Sequence, residues 1–194
     1  NLLAIHGMNS STTSSDMLIS ADLDGTITKP ASDFPYTNAL ALLNGLRITE
    51  LMYNATAGSN FDYIELKNIG QTALDLTGVR ITNGIDFTFG RMTLEPEQYV
   101  VVVKNLTAFQ SAYGTGINVA GEYSGNLSNG GEKIVLSLPS PLDAAILRFE
   151  YDDKWYPAAD GDGSSLAIND PLTHPAALSM AESWHPAVPS PGSP

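Results

Sequence analysis

The sequence contains no cysteine, which excludes a disulfide framework, a thiolate metal site and a cysteine nucleophile. It is also poor in basic residues. Lys and Arg number 9 against 21 Asp and Glu, for a formal charge of -12 and a pI near 4.3. A surface of that sign repels polyphosphates and anionic lipids. The cations in "GLRITE", "GVRIT" and "ELKN" stand singly among acids rather than in a stripe, so no nucleic acid partner is expected. Long apolar runs are missing too, none nearing the ~20 residues that cross a bilayer as a helix, and no membrane insertion is expected. Neither an initiating Met nor a basic-then-apolar leader is present, and the chain is expected to be a piece of a longer protein.

What is present reads mostly as strand and turn. Only 15% of residues are charged, and 17 Gly accompany many Ser, Thr and Asn, a composition common in extracellular β modules. Residues 1–27 hold two short aliphatic runs around a Ser/Thr loop, and the phrase "LAIHGMNSSTTSSD" resembles the closing strands of jelly-roll, galactose-binding-like modules. This segment is expected to be the remnant of a preceding β domain. Residues 28–45, with Pro30 and Pro35 in a polar stretch, read as a linker. Within it "NALALLNG" is compatible with a short helical turn or an extended lead-in.

From Leu46 onward the strand phrases succeed one another. "LRITELMY" has a mixed pattern suited to an edge strand. In "FDYIELKN", Ile64 and Leu66 alternate with Tyr63, Glu65 and Lys67, so period 2 turns the aliphatic pair inward. Glu65 is therefore expected on the exposed face, paired with Lys67 or a cross-strand neighbour. Asn83-Gly84 predicts a tight hairpin between "VRIT" and "IDFTF". "YVVVV" predicts a central strand covered on both faces. "LTAFQSAYG" breaks the alternation and predicts a short helix or turn closed by Gly114. "EKIVLSL", "AAILRFEY" and "SSLAIN" complete a spacing typical of a β-sandwich.

Taken in order, "LRITELMYN", "FDYIELKNIG", "LDLTGVRITNG", "FTFG", "YVVVVKN", "AFQSAYG", "GNLSNGGEKIVLSL", "WYPAADGDGSSLAIND" and "SWHP" resemble the lamin tail domain. Val79 stands where an aromatic is common in bacterial copies, and Ala55 where Pro is usual. The resemblance implies an all-β fold, an immunoglobulin-like antiparallel β-sandwich over residues 46–194 with a Pro-rich tail, folding without residues 1–44. It implies a non-catalytic module of a larger exported bacterial protein, extracellular or at the cell surface. Such a module would act as a spacer or as a protein or glycan recognition domain, its partners being other domains of the same polypeptide or surface ligands.

A fold does not fix function, so catalysis would have to show in the residues themselves. "GEYSGN" lacks nucleophile-elbow spacing, and "GTGINVAG" fails the dinucleotide-binding pattern. His6, His174 and His185 form no zinc motif. Acids are the one concentrated group. "FEYDDKWYPAADGDGSS" holds Asp152, Asp153, Asp160 and Asp162, hard oxygen ligands that suit a weak Ca²⁺ site. Asp-Gly-Asp-Gly is equally ordinary turn chemistry, so no cofactor is expected to be required. The alternative function is a carboxylate- or calcium-dependent hydrolase on a sandwich scaffold, which would need two acids facing each other in a cleft. Trp155 is expected to pack, while for Trp184 packing and ligand stacking stay open. Tyr36, Tyr53 and Tyr123 are weaker ligand candidates. Asn9, Asn54, Asn105 and Asn126 begin N-x-S/T triplets, which chance explains in so polar a chain.

Overall fold

The computed structural model describes residues 36–193. The expected β remnant at 1–27, the first part of the linker, His6 and Asn9 lie outside the described residues. Helix α1 (Tyr36–Gly45) leads into strands β1 (Leu46–Met52) and β2 (Tyr63–Asn68). The short strands β3 (Leu74–Asp75), β4 (Arg80–Thr82), β5 (Ile85–Thr88) and β6 (Thr93–Leu94) follow, then β7 (Tyr99–Val103) and helix α2 (Leu106–Tyr113). The chain continues through β8 (Val119–Glu122), β9 (Ser124–Gly125), β10 (Glu132–Ser137), β11 (Ala145–Tyr151), β12 (Ser165–Ile168) and β13 (Trp184–Ala187).

These strands build two layers, one a 6-stranded sheet in the order β13-β12-β1-β2-β7-β8, the other a 5-stranded sheet in the order β11-β10-β4-β5-β9. β3 and β6 pair separately. The pairings are antiparallel except that of β7 with β8. Ile48, Leu51, Ile64, Leu66, Val100 and Val102 of the larger sheet meet Ile81, Ile134, Leu136, Leu147 and Phe149 of the smaller in one core. The expected all-β, immunoglobulin-like sandwich is the fold observed.

Local chemistry explains several elements directly. Asn83 and Gly84 take φ of 66° and 76°, the left-handed pair that a two-residue hairpin between β4 and β5 requires. Val100 to Val103 of β7 are all fully buried, because β7 lies between β2 and β8 with the core on one face. On its other face Val101 and Val103 join Met52, Tyr63 and Phe109 in a second cluster. Phe109 comes from α2, whose first turn is capped by Asn105, its side chain accepting from the Ala108 amide at 2.9 Å. That cap satisfies an amide the helix cannot satisfy itself. It also gives the Asn105 side chain of the N-x-T triplet a structural role.

β1 is not the edge strand expected from its mixed pattern. It lies inside the larger sheet, between β12 and β2. The register slips between Ile48 and Glu50, leaving Thr49 as an extra residue, and a bulge of this kind reverses the facing of everything beyond it. Leu46 and Ile48 point to the core before the bulge and Leu51 after it. A single period of 2 cannot describe that spacing.

Residues 36–45, the end of the expected linker, form α1, and of the two forms open to "NALALLNG" the helical one is observed. Leu42 is wholly buried and Ala39 is 7% exposed, both in the main core. Asn38 fastens the helix to β3, its Nδ2 donating to the Asp75 carbonyl at 3.0 Å and its Oδ1 accepting from the Asp75 amide at 3.2 Å. The eight-residue phrase was too short to show its packing partner. The core thus includes α1, which precedes the expected boundary at Leu46. Leu42→Ala should cost about 2–3 kcal/mol, read as a lowered midpoint in chemical denaturation, whereas a linker residue would leave the midpoint unchanged.

Candidate functional site

The outer face of the larger sheet carries an arrangement that alternation alone concealed. Ile64 and Leu66 face the core, so Tyr63, Glu65 and Lys67 face away from it. The bulge at Thr49 brings Glu50 to the same outer face, directly opposite Glu65 in the β1–β2 register. Both glutamates are 2% exposed, and residues 188–193 reach over them, the Ser190 and Gly192 amides bonding to the pair. The expected exposed position of Glu65 is thus corrected: the strand phase is as read, but the outward face is itself covered. Lys67 does not neutralise Glu65 by an ion pair, since its Nζ lies 2.7 Å from Glu97 and above the Tyr99 ring.

The two carboxylates are held by the chain around them. Thr49 Oγ1 donates to Glu65 Oε1, and the Gly192 amide donates to Glu65 Oε2 at 2.7 Å. Ser165 Oγ, on β12, and the Ser190 amide, at 3.2 Å, both donate to Glu50 Oε1. Glu50 Oε2 is buried without a partner, as is the Tyr63 hydroxyl nearby. Burial, more than the neighbouring Glu50 charge, pushes the Glu65 acid up to about 7, although Thr49, Gly192 and Lys67 pull the other way. Burial, then Glu50, pushes the Tyr63 phenol far above its ordinary range.

The pair forms the floor of a cleft of about 520 Å³ whose walls include Tyr99, Pro171, His185 and Val188. His185 Nδ1 lies 2.8 Å from Asn169 Oδ1. Chemically, two carboxylates face each other here with no ion pair to either acid among the described residues. A larger hollow beside α1, about 680 Å³, is lined by apolar groups such as Leu42, Pro139 and Pro141 and offers no comparable chemistry.

The four aspartates expected to suit calcium are not gathered into a ligand set. Among the described residues no group of three or more His, Asp or Glu side chains is placed to hold a metal ion. Asp152 caps a short helical turn by accepting from the Lys154 amide at 2.9 Å, and that bond, foremost, lowers its acid. Asp160 accepts from Asn54 Nδ2 at 2.7 Å, and Asn129 Nδ2 donates to Asn54 Oδ1 at 3.0 Å. Thr56 Oγ1 donates to the Gly161 carbonyl at 2.9 Å, so the Asp-Gly-Asp-Gly loop is docked on the β1–β2 connection. Asp162 is exposed and Asp153 half-buried. Burial first, then Asp160, Asp153 and Asp152, raises the Tyr53 phenol to about 12. Asp160→Ala should lower stability by about 1–2 kcal/mol through the lost Asn54 bond. Melts with EDTA and with millimolar Ca²⁺ should show the same loss; a calcium-dependent loss would mean the loop holds the ion after all.

The aromatic candidates turn inward. Trp184 is fully buried, stacks on Phe149 with centroids 5.3 Å apart, and donates Nε1–H to the Leu178 carbonyl at 2.7 Å. The open choice at Trp184 is thereby resolved as packing. Trp155 packs half-buried against the main core. Tyr53 and Tyr123, placed in loops by sequence, are buried, while Tyr36 is exposed. Glu50 and its pairing with Glu65 are what sequence reasoning missed. The available signal was the interrupted alternation of "LRITEL", which marks a bulge and puts a second acid on the Glu65 face.

The family model of the Lamin Tail Domain matches residues 43–151. No match is found among curated proteins or among solved structures.

Proposed function

Because this chain belongs to the lamin tail domain family, whose members are non-catalytic immunoglobulin-like domains, we propose that it serves a larger exported protein as a spacer that also presents a protein or glycan recognition surface. One observation carries the non-catalytic reading. Of the four carboxylate oxygens best placed for chemistry, those of Glu50 and Glu65, three accept hydrogen bonds from Thr49, Ser165, Ser190 or Gly192. The acids are spent on organising the chain, whereas a hydrolytic pair must leave room for substrate and water between them. The formal charge of -12 favours partners that are neutral or basic over nucleic acid.

A second reading has one observation in its favour: the facing acids lie at the floor of a cleft, as a carboxylate-dependent hydrolase would place them. The two readings separate in one experiment on the host protein. The module is replaced by an unrelated immunoglobulin-like sandwich of similar span, and the isolated module is assayed on a panel of glycans. Retained host function with the substitute supports the spacer, and function regained only with the native module supports recognition. Glycan hydrolysis that is lost in Glu50→Gln would overturn the non-catalytic reading.

A further inference from the structure

Glu50 and Glu65 stand opposite each other on adjacent strands, and like charges so placed repel. A stable sandwich would more simply carry an uncharged pair there. What covers them is a segment almost without side-chain chemistry of its own, "VPSPGS" at residues 188–193. Alternate amides of this strap reach the two acids, Ser190 to Glu50 and Gly192 to Glu65. Its apolar anchorage is slight: Pro191 is buried, but Val188 is 85% exposed. Gly192 has φ of 87°, and a Cβ there would come within 3.1 Å of Ile117, so the close approach of this amide depends on glycine.

We propose that residues 188–193 form a proton-linked strap: it closes over the Glu50–Glu65 pair with uptake of one proton, and loss of that proton releases it and uncovers the acid-floored cleft. With the strap down, two carboxylates lie side by side out of water, and one proton removes their repulsion. The protonated acid still accepts the Gly192 amide through its carbonyl oxygen. With the strap lifted, water solvates both anions and the proton is no longer needed. The raised Glu65 acid, due first to burial, therefore belongs to the closed form, and an open, hydrated Glu65 returns toward its ordinary value of about 4.3. Linkage then requires that acid favours closure and base favours opening.

The other groups that face the pair are few. β2 contributes Lys67, held by Glu97, and the Tyr63 phenol; β7 contributes Tyr99; β13 contributes His185. From α2 the Tyr113 phenol feels Glu50. β12 offers only Ser165 and Ala167, and the strap itself carries no ionisable side chain. Asp62, pushed up to about 6 chiefly by burial, also responds near neutrality, and the test must separate it from Glu65. The inference goes beyond the module reading and stands independently of what the module binds.

Amide hydrogen exchange on the whole chain, corrected for the intrinsic pH dependence of exchange, separates them. In the native protein, protection of the Ser190 and Gly192 amides should fall about tenfold or more between about pH 6 and pH 8. In Glu65→Gln, which keeps the amide acceptor and leaves His185 in place, protection should stay level across that range. An equal fall in both proteins would assign the effect to a group other than Glu65 and overturn the strap, as would level protection in the native protein. Should Glu65→Gln fold poorly, Glu50→Gln serves: it removes the repelling neighbour while leaving Glu65 titratable, so the closed form tolerates an ionised Glu65 better and the midpoint of release should move to higher pH. An unmoved midpoint overturns the proposal.

Discussion

Trp184→Ala is expected to lower stability by about 3–5 kcal/mol, among the largest losses a single substitution can cause here. The ring is fully buried on β13 and stacks, 28° from parallel, on Phe149 of β11 in the opposite sheet, so it ties the two layers together. Deleting it leaves a cavity between the sheets and removes the donor to the Leu178 carbonyl. Trp184→Phe tests the two contributions apart. It keeps most of the stacking and loses the hydrogen bond with a smaller void, at about 1–3 kcal/mol. Denaturant titration of the two variants reads the difference. Equal losses would mean that the Leu178 bond, not packing, is what the residue supplies. A small loss in Trp184→Ala would mean that β13 is dispensable. That outcome matters for the extent of the domain, because the family match ends at residue 151, whereas β12 pairs with β1 and β13 with β12. The core places the domain's boundary past Trp184.

The smaller sheet was easier to read, because its turn residues match their geometry and the outer part of β11 alternates cleanly. Ile146, Leu147, Phe149 and Tyr151 are buried while Arg148 and Glu150 are exposed, and Asn83-Gly84 does what that dipeptide does in hairpins. The larger sheet was harder to read for three physical reasons. A bulge at Thr49 reversed the phase of β1 midway, so the pattern imitated an edge strand. The outer face of this sheet is covered by α2 and by residues 188–193, so alternation reported which residues face away from the core without reporting exposure. Helix α1 offered only Ala39 and Leu42 as buried apolar contacts, below what a short phrase can signal. The same three circumstances hid the acid pair. Glu65 was visible as an outward residue, but its partner Glu50 reaches that face only through the bulge, and its cover comes from more than 120 residues later in the chain, as the 127-residue separation of Gly192 from Glu65 illustrates.

The buried acids also predict that stability falls as the solution becomes alkaline, unlike a protein whose carboxylates are salt-bridged. Burial, as the leading cause, pushes Glu65 up to about 7 and Asp62 up to about 6. Asp62 receives the Ala55 amide at 3.0 Å on one oxygen, and its other oxygen is buried without a partner. Both acids hold a proton more tightly in the folded chain than in the unfolded one, where they lose it near pH 4. Their contribution is therefore fully present below about pH 4 and is lost as the pH rises through about 6 for Asp62 and about 7 for Glu65. For Glu65 the loss between about pH 4 and pH 8 should be about 3 kcal/mol. Release of the strap sets a ceiling on that figure, because an opened Glu65 is hydrated without the whole sandwich having to unfold. Denaturant midpoints at several pH values, for the native protein and for Glu65→Gln, measure the term. The variant should lose less stability on going from acid to base and should exceed the native protein above about pH 7. Parallel curves would show that Glu65 is ionised throughout at no cost, and with it would go the reason for keeping two acids under one strap.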